Sequence, residues 1–371
     1  MPHLVFALPW LYVVTRWLWP LPWPIGIKIV IATALLIASQ FHFWSRLSSG
    51  SIFAPEFPRP MVIAFNWAFG AIALLAVFQI ALDVAGLVAT VGGYGGLWIG
   101  ARYFIGITAF SLSGLGVWQA IRVPPLRDVT VYIPNLPGPF DGYSLVQLTD
   151  LHLSRLFTRT WTSAVVDATN RLGVDLIVVT GDVIDGSVAN RRSDVEPLRG
   201  LQAPDGVYLI PGNHEYLSGY DPWMAHLASL GMRTLANAHT VIVRGGDKLV
   251  LAGVTDPSAR GANRPLPDLG QALAGSPAPA PIVLLDHEPG RAREAAARGV
   301  ALQLSGHTHG GMIIGLDRLV ARANGGFVSG RYSVGTMTLY VNNGTGIWPG
   351  FALRLGKASE LTRITLRSDP D

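Results

Sequence analysis

Residues 300–311 read VALQLSGHTHGG, a largely apolar run of six residues that leads into two histidines set between glycines. A short apolar run bounded by glycine is typical of a buried β-strand. His307 and His309 stand two positions apart, so extended backbone would turn both side chains to one face. The stretch therefore predicts a strand that ends in a loop presenting two imidazoles to the same place.

Four further stretches repeat this pattern of an apolar run followed by Asp, His, Asn or Gly. In chain order they are YSLVQLTDLH (143–152), VDLIVVTGD (174–182), GVYLIPGNHE (206–215) and APIVLLDHE (280–288). Helical patterns lie between them, near residues 159–172, 221–231 and 289–298. Because open sheets collect ligand sites at the carboxyl ends of their strands, the pattern predicts a layered α/β fold with its polar residues at one edge.

The polar side chains at these strand ends are carboxylates, imidazoles and one amide, which suit Mn, Fe or Zn. The seven candidate metal ligands are Asp150, His152, Asp182, Asn213, His287, His307 and His309. One four-coordinate ion needs about four ligands. Seven ligands suit two ions that share a bridging carboxylate, which is a common arrangement for phosphoester hydrolysis. The chain contains no cysteine, so thiolate chemistry is excluded.

The ordered motifs Asp-x-His, Gly-Asp, Gly-Asn-His-Glu, His and Gly-His-Thr-His resemble those of the calcineurin-like metallophosphoesterases, over roughly residues 143–345. The resemblance implies a sandwich of two β-sheets flanked by helices. It implies that Asp150, His152 and His309 hold a first metal ion, and that Asn213, His287 and His307 hold a second. It also implies that Asp182 bridges the two ions and that His214 is a catalytic residue beside the leaving group.

The chemistry implied by this resemblance is hydrolysis of a phosphoester. Two divalent ions lower the pKa of a water between them, so that hydroxide attacks phosphorus in line. His214 would then protonate the departing oxygen. One position departs from the related sequences, because Met312 stands where glutamine is frequent after His-Gly-Gly. Methionine cannot donate a hydrogen bond, so a substrate contact there is expected to differ.

The N-terminal third has a different composition from the rest of the chain. Residues 1–122 hold six basic and two acidic residues, whereas residues 123–371 hold 22 of each. Residues 61–82 are uncharged and long enough to cross about 30 Å of hydrocarbon. Residues 25–44 and 103–121 are further candidate spans, and residues 4–23 are a weaker one, because they contain Arg16 and three prolines. We therefore expect four membrane spans, or three if residues 4–23 do not cross.

These patterns predict three regions in the chain: a transmembrane region of about four helices over residues 1–122, a linker over 123–142 and a catalytic domain over 143–371. With four spans, four basic residues lie on the side of the catalytic domain and three lie on the other. The first group is Arg46, Arg59, Arg122 and Arg127, and the second is Arg16, Lys28 and Arg102. The positive-inside rule thus favours a cytoplasmic catalytic domain, and the opposite side stays open should residues 4–23 only lie on the membrane surface.

The apolar N-terminal region and the tail around residues 340–346 resemble the membrane-anchored bacterial branch of this family. That resemblance implies a multi-pass protein of the bacterial inner membrane whose partners are the lipid bilayer and a phosphoester substrate, for which a lipid-linked compound is one candidate. The branch includes phosphodiesterases that split the pyrophosphate of UDP-2,3-diacylglucosamine in lipid A synthesis. Manganese is among the metals that we expect in the site.

Two other functions stay open at this point. The protein could hydrolyse soluble nucleotides or phosphoproteins, or it could be a catalytically silent membrane scaffold, although the complete set of ligands opposes the latter. Nucleic acid is not an expected partner, because the polar two thirds of the chain carry no net charge. Asp185, Glu215 and Asp286 are either partners that orient ligands or ordinary loop carboxylates. His226 is expected to be structural and Arg354 to lie on the surface.

Overall fold

The computed structural model describes residues 3–94 and 98–369, and the chain divides into two compact units. The first unit comprises residues 1–120 together with 349–355, and the second comprises residues 121–348 together with 356–371. All five sequence motifs fall in the second unit.

The first unit is built from apolar helices. They are α1 (His3–Val13), α2 (Ile25–Ser39), α3 (Phe41–Ser49), α4 (Arg59–Val91) and α5 (Gly100–Ile121). α4 starts directly after Pro58, with a second proline in its first turn, where the missing N–H has no intrahelical partner to lose. Its 33 residues extend about 50 Å, more than the thickness of a bilayer's hydrocarbon.

Two helices of the described residues, α4 and α5, are long and apolar enough to cross a membrane, and they contain the predicted spans 61–82 and 103–121. α2 and α3 could form a third span with a bend of 52° between them. Within the predicted span 4–23, α1 continues directly into a π-helical turn over Val14–Leu18, and the helical run ends there, before the prolines at 20 and 22. Length and composition therefore support two or three spans in the described part of the chain.

A short segment from late in the chain, residues 349–355, packs within the helical unit. The Asn66 side chain of α4 donates to the Pro349 carbonyl at 2.9 Å and accepts from the Ala352 N–H at 2.6 Å. The Arg354 N–H donates to the Gly116 carbonyl of α5 at 3.1 Å. Asn66 is buried, so these bonds satisfy an amide that would otherwise be costly in an apolar unit. Arg354, expected on the surface, is instead completely buried.

The second unit consists of two mixed six-stranded sheets with helices on their outer faces. Its strands are β1 (Leu126–Ile133), β2 (Ser144–Leu148), β3 (Leu176–Thr180), β4 (Val207–Ile210), β5 (Arg233–Thr234), β6 (Ala238–Arg244), β7 (Asp247–Gly253), β8 (Ile282–Leu285), β9 (Leu302–Ser305), β10 (Gly330–Val334), β11 (Met337–Val341) and β12 (Leu361–Ser368). Its helices are α6 (Arg159–Asn170), α7 (Val188–Val195), α8 (Asn213–Leu217), α9 (Tyr220–Ser229), α10 (Leu269–Leu273), α11 (Ala292–Ala297) and α12 (Asp317–Ala323). This is the layered sandwich that the resemblance implies.

Strand order determines where the motifs meet. The first sheet has the order β1-β12-β2-β3-β4-β5, and the second has the order β10-β11-β9-β8-β7-β6. β2, β3 and β4 are parallel neighbours, as are β7, β8 and β9. The carboxyl ends of neighbouring parallel strands share one edge of a sheet. The five motifs, which follow β2, β3, β4, β8 and β9, are thereby brought to two such edges.

The core lies between the two sheets and follows the two-residue period of the strands. Leu176 and Val178 of β3 face Leu302 and Leu304 of β9 in one buried cluster. The alternate residues of β7 and β8, such as Val250 and Leu284, instead pack beneath α10 and α11. Each buried leucine or valine contributes about 1.5–3 kcal/mol through apolar surface removed from water. The two faces of β7 and β8 are therefore both buried, which explains their continuous apolar sequences.

The segment 123–142, expected to be a linker, contains strand β1. Its eight residues pair in parallel with β12, from Leu126 opposite Leu361 to Ile133 opposite Ser368. The sequence of β1 is half polar, and its pairing partner lies far away along the chain. Local pattern alone therefore does not reveal that this stretch is part of a sheet.

Candidate metal centre

The first cluster of candidate ligands contains Asp150, His152 and His309, all of them buried. The His309 Nε2 atom lies 3.5 Å from Asp150 Oδ1 and 3.2 Å from His152 Nε2. His152 Nε2 lies 3.9 Å from the same carboxylate oxygen. Three potential ligand atoms from two loops, those after β2 and β9, thus converge on one small volume.

The second cluster contains Asp182, His287 and His307, with Asn213 beside them. The Asn213 Oδ1 atom lies 3.2 Å from His287 Nε2 and 3.1 Å from His307 Nδ1. His287 Nε2 is 3.3 Å from Asp182 Oδ2. The amide oxygen, two imidazole nitrogens and one carboxylate therefore face a common point.

The Asp182 carboxylate lies between the two clusters. Its Oδ2 atom is 3.7 Å from His152 Nε2 in the first cluster and 3.3 Å from His287 Nε2 in the second. Its other oxygen, Oδ1, accepts the backbone N–H of His214 at 2.8 Å. The bond to Oδ1 fixes the carboxylate, so Oδ2 is left to face both clusters.

Two of the imidazoles are oriented by partners of their second nitrogen. His287 Nδ1 lies 2.7 Å from the Thr180 carbonyl, which can only accept, so Nδ1 carries a proton and Nε2 is the atom that faces the cluster. His152 Nδ1 lies 3.0 Å from Asp185 Oδ2, which has the same effect on that ring. Such partners fix the tautomer and the direction of a metal-binding histidine.

Asp185 also contacts the candidate catalytic residue. Its Oδ1 atom is 2.5 Å from His214 Nδ1, so one fully buried carboxylate contacts the imidazoles of both His152 and His214. The ring of His214 stands edge-on to that of His152, with 4.6 Å between their centroids. The sequence left the role of Asp185 open, and the structure assigns it to the orientation of His152 and His214.

Glu215 supports the site from beneath. Its carboxylate accepts three backbone N–H groups, those of Gly212 at 2.7 Å, Asp182 at 3.0 Å and Val183 at 2.7 Å. These bonds join the loops that follow β3 and β4. Asp286, by contrast, forms an ion pair with Arg291 at 2.7 Å.

The electrostatics of the site reflect this concentration of buried charge. Burial alone would raise the pKa of Asp182, but the surrounding imidazoles, His287 first, hold it well below its usual range. Burial opposes protonation of His214, yet the Asp182 and Asp185 carboxylates raise its pKa to about 9. Burial and the Asp182 charge raise the pKa of Glu215 to about 7, although the N–H groups of Gly212 and Val183 favour its ionised form.

The backbone of the ligand loops is unusual. Five candidate ligands have positive φ angles near the left-handed helical region, where residues other than glycine are uncommon. They are Asp150 (51°), His152 (46°), Asp182 (54°), His307 (68°) and His309 (49°). Each such residue costs of the order of 1–3 kcal/mol, so the surrounding contacts must hold it. This strain is concentrated at the strand ends that carry the ligands.

Glycines permit the loops to approach each other. A Cβ on Gly181, which has a φ of 89°, would lie 2.6 Å from the Gly212 nitrogen and 2.7 Å from His287 Nδ1. A Cβ on Gly306 would collide with the side chains of Thr149 and Asp150. Any larger residue at either position would push apart the loops that the two sheets contribute to the site.

All eight predicted site residues are thus brought together at one edge of the sandwich. The seven candidate ligands supply carboxylate, imidazole and amide atoms that converge on two points, and this donor set fits two divalent ions of the Mn, Fe or Zn type. Met312 follows the last ligand loop with a φ of 59° and is only half buried. His226 lies on α9 and takes no part in the described clusters.

Comparison with known proteins places these features in context. Residues 143–311 match the family model of the calcineurin-like phosphoesterases. A transmembrane protein with a metallophosphoesterase domain from Danio rerio is 35% identical over 265 residues, covering 69% of this chain and 60% of that protein. The metallophosphoesterase YkuE of Bacillus subtilis is 33% identical over 285 residues, covering 75% of this chain and 96% of that protein.

Some of these relatives are much longer than the matched region. This chain spans about three fifths of the length of the Danio rerio protein. Among solved structures, the calcineurin-like phosphoesterase YfkN from Bacillus subtilis matches with a TM-score of 0.39 and 13% identity, over 55% of this chain and 82% of that one.

Proposed function

The chain belongs to the calcineurin-like phosphoesterases, whose members use a dinuclear divalent metal centre, and on that premise we propose that it is a membrane-anchored phosphodiesterase or pyrophosphatase acting on a lipid-linked substrate. UDP-2,3-diacylglucosamine, an intermediate of lipid A synthesis, is one substrate of this type. The metals that we propose are Mn, Fe or Zn.

The observation that carries the proposal is the position of Asp182. One carboxylate oxygen within 4 Å of an imidazole from each cluster is what a bridging ligand requires. We assign Asp150, His152 and His309 to a first ion, Asn213, His287 and His307 to a second, and Asp182 to both. When bound, the two ions would supply Lewis-acid activation of water and neutralise charge on the phosphoryl oxygens.

We assign the roles other than metal binding to three further side chains. Asp185 holds the rings of His152 and His214 in fixed orientations through its two oxygens. His214 Nε2 lies 3.9 Å from Asp182 Oδ2, so its free edge faces the reaction centre. From there His214 donates a proton to the departing oxygen, which removes the cost of expelling an alkoxide. Glu215 keeps the loops after β3 and β4 at the correct separation.

The lipid-linked substrate is supported by the rest of the chain. The same polypeptide carries two or three helices that are apolar and long enough for a bilayer. An enzyme tethered in this way meets a lipid substrate at the high local concentration of a membrane surface, which a soluble nucleotide would not require. The complete ligand set opposes a silent scaffold.

A hydrolysis screen tests the proposal. Purified full-length protein in detergent, supplied with Mn²⁺, should cleave a UDP-linked diacyl sugar or another lipid phosphodiester faster than a water-soluble phosphomonoester. EDTA should abolish the reaction and Mn²⁺ should restore it. Cleavage of the soluble monoester alone would contradict the lipid-linked assignment, and undiminished activity after exhaustive chelation, with an empty site confirmed by metal analysis, would contradict the metal-dependent mechanism.

A further inference from the structure

The segment that follows the last ligand loop exposes an apolar and basic surface. We call this surface the basic edge, and define it as Ile314, Arg318, Leu319 and Arg322. Ile314 is 70% exposed and Leu319 is 58% exposed, and both arginines are exposed as well. None of the residues of α12, which carries the last three of these, is buried. Most helices of the second unit do bury part of their surface, so this one has an unpartnered face.

The basic edge is held close to the metal centre. Ile314 lies five positions after His309, and a Cβ on Gly311 would collide with the Asp317 backbone at the start of α12. Ile313 forms an isolated β-bridge with Gly356, and the Ile314 side chain packs against that same glycine. The surface therefore has a fixed backbone beneath it and belongs to the rim of the site.

The charge on the basic edge is not neutralised by its neighbours. The one carboxylate of α12, Asp317, lies 3.4 Å from the Lys357 ammonium group. Within the part of the chain that the structure describes, neither Arg318 nor Arg322 forms an ion pair. Two exposed cations interleaved with two exposed aliphatic side chains are the composition of a segment that lies at the interface of an anionic bilayer.

The covalent chain gives an independent reason to choose a membrane as the partner. Gly356, which is bridged to Ile313, directly follows residues 349–355 in sequence. That segment is packed among the apolar helices α4 and α5, through Asn66 and Gly116. We propose that the basic edge contacts the headgroup and upper acyl region of an anionic membrane leaflet, so that the rim of the metal centre meets the lipid surface. This interaction surface goes beyond the proposed function.

Site-specific fluorescence can test this contact without relying on catalysis. The chain has no cysteine, so Ile314→Cys and Leu319→Cys each provide a single labelling site for an environment-sensitive fluorophore. The labelled full-length protein is placed in nanodiscs of phosphatidylethanolamine and phosphatidylglycerol that contain acyl-chain spin-labelled lipid as a quencher. Val243→Cys is the matched control, because Val243 is also an aliphatic residue with 58% exposure but lies on β6. Val77→Cys on α4, with 60% exposure, reports full lipid contact.

We expect lipid quenching at Ile314 and Leu319 to exceed that at Val243 by at least about twofold and to approach that at Val77. Arg318→Glu combined with Arg322→Glu should reduce the quenching at Ile314 and leave that at Val77 unchanged. Equal quenching at Ile314, Leu319 and Val243 would overturn the proposal. Protection from aqueous iodide without lipid quenching would also overturn it, since a protein partner or a second copy would then cover the surface.

The outcome does not depend on which substrate is cleaved. A protein that shows no lipid hydrolysis but strong lipid quenching at Ile314 would contradict the proposed function and support the basic edge. Lipid hydrolysis without such quenching would support the proposed function and overturn the proposed membrane contact of the basic edge. Metal content measured on each labelled variant verifies that the adjoining ligand loop has kept its structure.

Discussion

At the scale of single residues, three imidazoles surround one carboxylate oxygen. Asp182 Oδ2 lies 3.3 Å from His287, 3.7 Å from His152 and 3.9 Å from His214. A buried carboxylate is unfavourable unless cations or hydrogen-bond donors compensate it. The position of Asp182 is thus suited to a site that holds positive charge on both sides.

Replacement of Asp182 by alanine should remove both proposed ions or leave them misplaced. We expect kcat to fall by about 10³-fold or more, because metal activation supplies several kcal/mol of transition-state stabilisation. Metal content and kcat are measured together. His226→Ala is the control, since this histidine lies outside the described clusters and should keep both values nearly unchanged. A near-normal kcat for Asp182→Ala would remove the bridging role.

Replacement of His214 by alanine should have a different signature. His214 contacts Asp185 and is assigned to neither ion, so the variant should retain its metal while kcat falls by about 10²–10⁴-fold. The loss should shrink for nitrophenyl esters, whose leaving group departs without a proton. Loss of a metal ion would show that His214 is a ligand. An equal loss for all leaving groups would show that it stabilises phosphoryl charge instead.

The sequence could indicate the proposed ligands but not the residues that orient them. Asp150, His152 and His309 follow recognisable strand patterns. In the sequence, the same description fits three carboxylates beside the proposed ligands, those of Asp185, Glu215 and Asp286. In the structure, Asp185 contacts two imidazoles and Glu215 accepts three backbone N–H groups. Asp286 instead forms an ion pair with Arg291. Which of these partners a carboxylate meets depends on contacts between loops, and local spacing does not encode them.

At the scale of secondary-structure elements, a polar network joins the two sheets at a distance from the metal centre. Arg244 of β6 lies 2.8 Å from the Asp175 carboxylate, which precedes β3, and its guanidinium stacks over the Tyr143 ring at 4.7 Å. The second Asp175 oxygen accepts the Ser144 N–H at 2.8 Å. Tyr143 in turn donates to Asp205 at 2.8 Å. The network aligns the start of β2 and β3 with the end of β6.

Asp175→Asn should weaken this junction and lower the free energy of unfolding by about 1–3 kcal/mol, as expected for a partly buried hydrogen bond to a charged group. Thermal unfolding of the metal-free protein, with EDTA present throughout, measures the effect. The control is Asp128→Asn: the Asp128 carboxylate is 57% exposed in its pair with Arg363, so the change should cost less than about 0.5 kcal/mol. Equal destabilisation by both variants would contradict the prediction.

The same variant has a defined pH dependence. Burial would raise the pKa of Asp175, but the Ser144 N–H and the Arg244 guanidinium lower it below its ordinary value near 3.8. A lowered folded-state pKa means that the stabilisation is complete above that ordinary value and is lost as the pH falls through the lowered one. The stability difference between the original protein and Asp175→Asn should therefore be constant near neutral pH and diminish below about pH 3.5.

The secondary-structure elements that the sequence predicted are those with a clear local pattern of residues and with a packing partner that is near in the sequence. The five apolar runs and the helices near 159–172, 221–231 and 289–298 correspond to elements of the second unit. β1 was not predicted from the sequence, because it is stabilised by pairing with β12, which comes much later in the chain. In the predicted span 4–23, Pro9 lies inside α1, and the helical run ends at Leu18, before Pro20 and Pro22.

At the scale of the whole molecule, α4 and α5 constrain the membrane topology. If both cross, the chain before α4 and the chain after α5 lie on the same side, whatever residues 3–49 do. Arg46, Arg59, Arg122 and Arg127 then share that side, with Arg102 opposite. The positive-inside rule therefore favours the cytoplasm for the second unit.

A reporter fused after Asp371 checks this topology. We expect a cytoplasmically active reporter to function there and a reporter that requires export to be silent. A second fusion placed between α4 and α5 in the chain should give the opposite result and serves as the control. Export-dependent activity of the C-terminal fusion would show that the charge distribution does not determine the orientation of this chain.

The place of β12 has a consequence for how the protein is made. This strand lies between β1 and β2 in the first sheet, yet among the described strands it is the last to leave the ribosome. Until it emerges, β1 has no partner and β2 presents an open edge of unpaired N–H and C=O groups, the kind of edge that promotes aggregation. A nascent chain that stalls or terminates before residue 361 would leave this edge exposed, even though every candidate metal ligand had already been translated. The first sheet is therefore complete only after residues 361–368 have been translated.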